Sequence, residues 1–98
     1  MANVDVATRK VTLPKDSDGT GFAGGSQVVL YNDDHNNYAY VVECLVGVFG
    51  HSRSVAEKIT REAHEKGRAI AEVEDAVKAN EHARQLGGMG LKVSVEGF

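Results

Sequence analysis

The spacing of hydrophobic and polar residues changes from strand-like to helix-like as the chain is followed from residue 27. A short β-branched and apolar run at residues 27–31 predicts a buried strand. The polar run at 32–37 predicts a loop, because Asn and Asp side chains bond to nearby backbone groups. Apolar residues then recur on one helical face from Tyr38 to Phe49, which predicts a first helix capped by one of the two asparagines before it.

The second half of the chain predicts four further elements. A second helix is expected to follow a serine cap and to stop at Gly67. A short strand is expected at Ala69–Val73, and a third helix at Glu74–Leu86 that ends at the glycine pair after it. Apolar and polar residues alternate over residues 91–96, which predicts a half-exposed final strand.

The order strand, helix, helix, strand, helix, strand predicts one small α+β domain. Its most economical architecture is a three-stranded, mainly antiparallel sheet that three helices cover on one face. The inward-facing stripes of the second and third helices are expected to include Val55 and Val77. This core domain is expected to span residues 27–98. Residues 1–26 hold the single proline, Pro14, and few apolar residues, which predicts a flexible N-terminal extension.

Composition and charge narrow the function classes. The chain has 98 residues and a formal net charge of −3, with no basic stripe, which argues against a nucleic-acid partner. No apolar run is long enough to span a bilayer, and the first residues do not resemble a signal peptide. A single cysteine permits no internal disulfide. These features predict a cytoplasmic binding domain or a very small enzyme, with no membrane partner.

Two polar features are candidates for chemistry. Asn32, Asp33 and Asp34 directly follow the first strand, and their oxygens can hold Mg²⁺ or an ammonium group, although a simple polar turn has the same composition. His64 lies near the inner stripe of the second helix, where it is either a packed histidine or a functional one. Zinc-binding spacings, a nucleophile signature and a glycine-rich phosphate loop are absent from the sequence.

The segments Val28–Asp34 and Ala63–Ile70, together with the spacing between Asn-Asp-Asp and His64, resemble the ClpS family. The resemblance implies a protein that is not an enzyme and uses no cofactor or metal. It implies an adaptor that captures proteins by a bulky hydrophobic N-terminal residue, the N-degron of the N-end rule. Such an adaptor delivers them to a ClpA- or ClpC-type Hsp100 ATPase for degradation by the Clp protease.

The resemblance also implies roles for individual residues. Asn32, Asp33 and His64 are expected to bind the α-amino group of the substrate. The rim and wall of the pocket for the first side chain are expected to be Asp34, Asn36, Tyr38, Val41, Thr60, Ala63 and Leu91. Two of these positions depart from the family pattern, because Tyr38 and Thr60 stand where the family has methionines.

The region after Ile70 also departs from the family, since it is shorter and is expected to lack much of the second strand and the start of the third helix. Glu72, Glu74 and Asp75 are candidates for the unfoldase interface by location alone. The departures leave a second function open, namely a ClpS-like modulator that binds the unfoldase but has lost N-degron recognition. A third possibility is a small metal-dependent enzyme that uses Asp33 and Asp34, which requires a third carboxylate or histidine nearby.

Overall fold

The computed structural model describes residues 25–98, which form three strands and three helices. In chain order the elements are β1 (Ser26–Tyr31), α1 (Tyr38–Phe49), α2 (Arg53–Lys66), β2 (Arg68–Glu74), α3 (Ala76–Gly88) and β3 (Val93–Gly97). The order is the predicted one. Nearly all of the predicted N-terminal extension lies outside the described residues, and its flexibility stays a prediction.

The three strands form one antiparallel sheet with β1 in the centre. The strand order is β2-β1-β3, and both neighbours of β1 run antiparallel to it. Val29 is paired with Ile70 on one side, and Leu30 is paired with Val93 on the other. The central position of β1 means that its last residue and the loop after it lie between the ends of the two outer strands.

The helices cover one face of this sheet, which confirms the predicted fold class. Helix α2 packs on β1 and β2, helix α3 packs on all three strands, and α1 packs against α2 and α3. The interior contains many small side chains, namely six alanines and Cys44. The largest side chains that are almost fully buried are Leu45, Leu86, Val28, Val29, Val42 and Val95.

Side-chain caps set where the helices begin. Asn37 accepts a hydrogen bond from the Tyr40 N–H, so α1 starts where it was predicted. Ser52 rather than Ser54 caps α2, through the Val55 N–H. These caps satisfy backbone donors that a helix leaves unpaired in its first turn.

The third helix lies two residues later than predicted at both ends. Asp75 accepts from the Lys78 N–H and therefore caps α3 at Ala76, not Glu74. At the other end, the predicted glycine stop is wrong, because Gly87 and Gly88 remain helical. The chain turns only at Gly90, whose φ of 94° lies in the left-handed region that glycine adopts without strain.

Three predicted burial assignments are wrong. Val55 and Val77 are 42% and 71% exposed, because each lies in the first turn of its helix, beyond the edge of the core. Ser94 was expected to face solvent but is 6% exposed, and its hydroxyl lies 2.9 Å from that of Tyr31 on the neighbouring strand. The final strand is therefore more buried than its alternation indicates.

The shortened region after Ile70 still builds complete elements. Strand β2 has seven residues, six of them paired with β1 on either side of a bulge at Ala71, and only Asp75 separates it from α3. Of the interface candidates in this region, Glu74 is bound to His82 at 2.7 Å and Asp75 caps α3. The Glu72 carboxylate accepts from the Val73 N–H. The connection between β2 and α3 is thus a single residue, and the three carboxylates are engaged in local hydrogen bonds.

Candidate functional site

A cavity of about 350 Å³ opens where the end of β1 meets the first turn of α1 and the last two turns of α2. Its lining residues are Leu30, Tyr31, Asn32, Asp33, Asp34, Asn36, Tyr38, Val41, Thr60, Ala63, His64, Leu91 and Lys92. They come from four separate stretches of sequence, which the fold brings to one end of the sheet. The cavity is therefore a product of the tertiary structure and not of one loop.

All ten residues that the sequence predicted for the site lie in this lining. The structure adds three that the prediction missed: Leu30, Tyr31 and Lys92. Tyr31 directly precedes Asn32, Lys92 directly follows Leu91, and Leu30 lies one residue before Tyr31 on β1. The signal that could have identified Lys92 is strand pairing, since its carbonyl accepts a hydrogen bond from the Tyr31 N–H at 3.0 Å.

Backbone hydrogen bonds hold the loop after β1 against the end of α2. The Asn32 N–H donates to the Gly67 carbonyl at 3.0 Å, and Gly67 is the left-handed cap of α2 with φ 95°. The Gly67 N–H in turn donates to the Ala63 carbonyl at 2.9 Å. Since His64 follows Ala63, these two bonds place Asn32 and His64 at the same cavity.

The Asp33 carboxylate is held at both of its oxygens. Oδ1 accepts from the His35 N–H at 2.9 Å, and Oδ2 accepts from Asn36 Nδ2 at the same distance. The His35 imidazole Nδ1 lies 3.3 Å from Oδ1, but the imidazole itself is 87% exposed. The Asp33 side chain is only 7% exposed. It is thus a fixed, partly desolvated negative charge with a remaining lone pair on Oδ2.

Asp34 and His64 are two of the exposed polar residues in the lining. Within residues 25–98, neither side chain makes a hydrogen bond or an ion pair, so both are available to a ligand. A packed core histidine is excluded for His64, because it lies on the exposed side of the last helical turn.

The deeper wall of the cavity is apolar. Val41, Ala63 and Leu91 are 7%, 2% and 3% exposed and belong to the hydrophobic core. Thr60 is equally buried, and its hydroxyl donates to the Ala56 carbonyl at 2.8 Å. Because the hydroxyl proton is engaged, only the lone pairs of the Thr60 oxygen are free to face a ligand.

Tyrosine hydroxyls fix the first turn of α1 to its neighbours. Tyr38 donates to the Glu57 carbonyl of α2 at 3.0 Å, and Tyr40 donates to the Met89 carbonyl after α3 at 2.7 Å. Tyr38 lies in the cavity lining and is 43% exposed, so its ring stands at the mouth. The aromatic ring is therefore tied in place across the gap between α1 and α2.

The arrangement suits a small cation that carries an apolar group. Amide and carboxylate oxygens and an imidazole lie at the rim, and an apolar wall lies beneath them, so a primary ammonium and its side chain could be held together. Among residues 25–98, no group of three or more His, Cys, Asp or Glu side chains could hold a metal ion. The metal-dependent enzyme hypothesis therefore lacks its third ligand there. Fold and site together define a small binding domain with a rim of hydrogen-bond acceptors.

The chain belongs to the ClpS family. The family model described as "ATP-dependent Clp protease adaptor protein ClpS" matches residues 25–94. This match covers the first two strands, the three helices, the start of β3 and every residue that lines the cavity. Members of the family are adaptors of an ATP-dependent protease, and the expectation from the sequence is confirmed at that level.

Individual relatives agree with this assignment. The chain is 41% identical over 71 residues to the chloroplastic Clp protease adapter CLPS1 of Arabidopsis thaliana; the match covers 71% of this chain and 45% of that protein. It is 37% identical over 76 residues to the ClpS adapter of Oleidesulfovibrio alaskensis. That match covers 71% of this chain and 73% of the relative. The chain thus spans less than half the length of the plant relative.

A solved structure shows the same fold. Agrobacterium tumefaciens ClpS2 bound to L-phenylalaninamide superposes with a TM-score of 0.74 at 25% sequence identity. The similarity covers 76% of this chain and 98% of that one.

None of the described helices is long and apolar enough to cross a membrane. The cytoplasmic location stays a prediction, since one relative is chloroplastic.

Proposed function

We propose that this protein binds the first residue of substrate proteins that carry a bulky hydrophobic N-terminus. The observation that carries the proposal is the cavity, in which hydrogen-bond acceptors form the rim and core residues form the wall. The ClpS2 relative binds phenylalaninamide, which combines a free α-amino group with an aromatic side chain. A ligand of this kind matches both halves of the cavity.

The α-ammonium would be held by Asn32, Asp33 and His64. An ammonium offers three donors, which the Asn32 amide oxygen, a carboxylate and a neutral imidazole nitrogen can accept. The first side chain would then enter the wall of Val41, Ala63 and Leu91. Burial of a Phe, Leu, Tyr or Trp side chain there contributes roughly 1.5–3 kcal/mol from its area alone.

The two carboxylates at the rim differ in availability. Asp33 is held by two hydrogen bonds within its own loop, whereas Asp34 is exposed and makes none within residues 25–98. Either can supply the charged acceptor, since Oδ2 of Asp33 keeps a lone pair. Asp34 is therefore the second candidate for this contact.

Delivery is the second half of the proposed function. As an adaptor, the protein would present its cargo to a ClpA- or ClpC-type Hsp100 ATPase, and unfolding and proteolysis would be the chemistry of those partners. The adaptor itself would need no cofactor and catalyse no reaction. The alternative is a modulator that binds the unfoldase without recognising N-degrons, and it is favoured by the tyrosine that replaces a methionine at the mouth.

Binding of fluorescent peptides separates these functions. We expect a peptide with a free N-terminal Phe to bind, and the same peptide with an acetylated N-terminus to bind far more weakly. Asp33→Asn and Asp34→Asn keep the shape and remove one charge each. The variant that has lost the contact to the ammonium should bind about 2–5 kcal/mol more weakly, as is typical when a desolvated charge pair is broken.

The outcomes are distinct in a fluorescence-anisotropy titration. Equal affinity for the free and acetylated peptides, together with retained binding to the unfoldase, would establish the modulator. Preference for the free peptide with no effect of either Asn variant would contradict the role of the carboxylates but not the pocket.

A further inference from the structure

Asn36 connects the two halves of the cavity. Its side-chain nitrogen donates to Asp33 Oδ2 at 2.9 Å and to the Gly90 carbonyl at 3.0 Å. Both partners are acceptors only, so the amide orientation is chemically fixed with its NH₂ group towards them. An amide NH₂ has two hydrogens, and these two bonds use both. Asn36 therefore has no donor left for a ligand.

The two acceptors belong to different parts of the site. Asp33 is a carboxylate of the rim, where the ammonium would bind. Gly90 precedes Leu91, which forms the apolar wall and is 3% exposed. The Gly90 backbone is left-handed, and its N–H is bonded to the Gly87 carbonyl, so the turn holds Leu91 at the end of a short, defined loop.

We infer that Asn36 is a positioning residue that couples recognition of the α-amino group to recognition of the first side chain. The inference rests on the proposed function and deepens it. Without Asn36, one oxygen of Asp33 loses its donor and the carboxylate can rotate. The Gly90 carbonyl also loses its donor, so the turn that positions Leu91 in the apolar wall is held by one hydrogen bond fewer. A single substitution is thus expected to weaken both kinds of discrimination.

Three small amides measure the two discriminations separately. Phenylalaninamide carries both the amine and the ring, 3-phenylpropanamide lacks the amine, and alaninamide lacks the ring. The affinity ratio of the first to the second reports recognition of the amine, and the ratio of the first to the third reports recognition of the side chain. Titrations followed by NMR cover the weak affinities that such ligands give.

In the full-length Asn36→Ala variant, we expect both ratios to fall, the amine ratio by about tenfold, as a lost hydrogen bond to a charged group predicts. Leu91→Ala should lower only the side-chain ratio. Asn80→Ala is the matched control, because the Asn80 side-chain amide also donates to a backbone carbonyl, that of Ala76, but Asn80 does not line the cavity. It should leave both ratios unchanged.

Several outcomes would overturn the inference. One is an Asn36→Ala variant that keeps either ratio at the wild-type value. Another is a variant that weakens all three amides equally, since that is the behaviour of a merely structural residue. The dispersion of the NMR spectrum shows whether the variant is folded, and Asn36→Thr, which retains one donor, serves as a milder variant with an intermediate loss. A wild-type protein that does not distinguish phenylalaninamide from 3-phenylpropanamide would instead contradict the proposed function itself.

Discussion

Tyr38 stands at the mouth of the cavity, and its hydroxyl donates to the Glu57 carbonyl of the facing helix. The ring is stiffer than the methionine that the family pattern has at this position, and it cannot adapt its shape as a thioether can. A mouth of this kind should admit side chains that branch beyond Cβ and reject those that branch at Cβ.

We therefore expect Ile and Val to be poor first residues for the wild-type protein. Tyr38→Ala should raise the affinity for peptides that begin with Ile or Val relative to those that begin with Phe. Tyr38→Phe is the control, because it keeps the ring and loses only the hydrogen bond. The prediction is checked by anisotropy on peptides that differ in the first residue, and it fails if Tyr38→Ala leaves the relative affinities unchanged.

For single residues, the sequence predicted which side chains lie near one another but not which hydrogen bonds they make. The family resemblance named ten residues, and the structure brings them together at one cavity, while their roles towards a ligand stay predictions. The second bond of Asn36 reaches Gly90, which lies 54 positions later in the chain. Such a contact depends on how α3 ends, and local sequence does not reveal it.

The helix starts show which local choices the sequence leaves open. Two serines, Ser52 and Ser54, lie near the start of α2, and the sequence permits either of them as the cap. In the structure Ser52 accepts from the Val55 N–H, whereas Ser54 lies within the first helical turn. The later start of α3 has the same origin, because the Asp75 side chain accepts from the Lys78 N–H and therefore caps the helix at Ala76. The first two strands were predicted to within one residue at each end, because β-branched residues and a buried face define them together. The final strand begins at Val93, two residues later than its alternation predicted.

The two serines provide a paired test of this assignment. Ser52→Ala should lower the free energy of unfolding by about 1 kcal/mol, because it removes the side-chain acceptor for a first-turn N–H. Ser54→Ala should have little effect, since alanine favours the helix interior. Chemical denaturation monitored by circular dichroism measures both. A larger loss for Ser54→Ala would mean that the cap is misassigned.

For the molecule as a whole, Cys44 links stability to pH. It is the single cysteine, and burial raises the pKa of its thiol above the usual range. An acid whose pKa is higher in the folded state favours folding fully at pH values below the unfolded pKa, near 8.5, and loses that contribution as pH rises further. The free energy of unfolding should therefore fall between pH 7.5 and 10.

Cys44→Ala isolates this contribution, because alanine cannot ionise. Its free energy of unfolding should be lower at neutral pH, owing to lost packing, but should fall less steeply towards pH 10. Urea denaturation at several pH values gives the slope of the free energy of unfolding against pH for the wild-type protein and for the variant. Identical slopes would show that the thiol does not contribute.

The N-terminal extension should be separable from the domain. Every described helix and strand begins at or after Ser26, and the cavity lining begins at Leu30. A chain that starts at Gly25 should fold and bind peptides as the full-length protein does, but we expect its delivery of substrate to the unfoldase to fall. Thermal denaturation, anisotropy and a degradation assay measure the three properties. Unfolding of the shortened chain, or undiminished delivery, would contradict this division.

The central claim is that one cavity holds both the α-amino group and the first side chain. A crystal structure of the protein with L-phenylalaninamide tests it most directly. The account predicts the ammonium within hydrogen-bond distance of Asn32, His64 and a carboxylate of Asp33 or Asp34. It also predicts the ring against Val41, Ala63 and Leu91. A ligand bound elsewhere, or bound here with its amino group turned to solvent, would contradict the account.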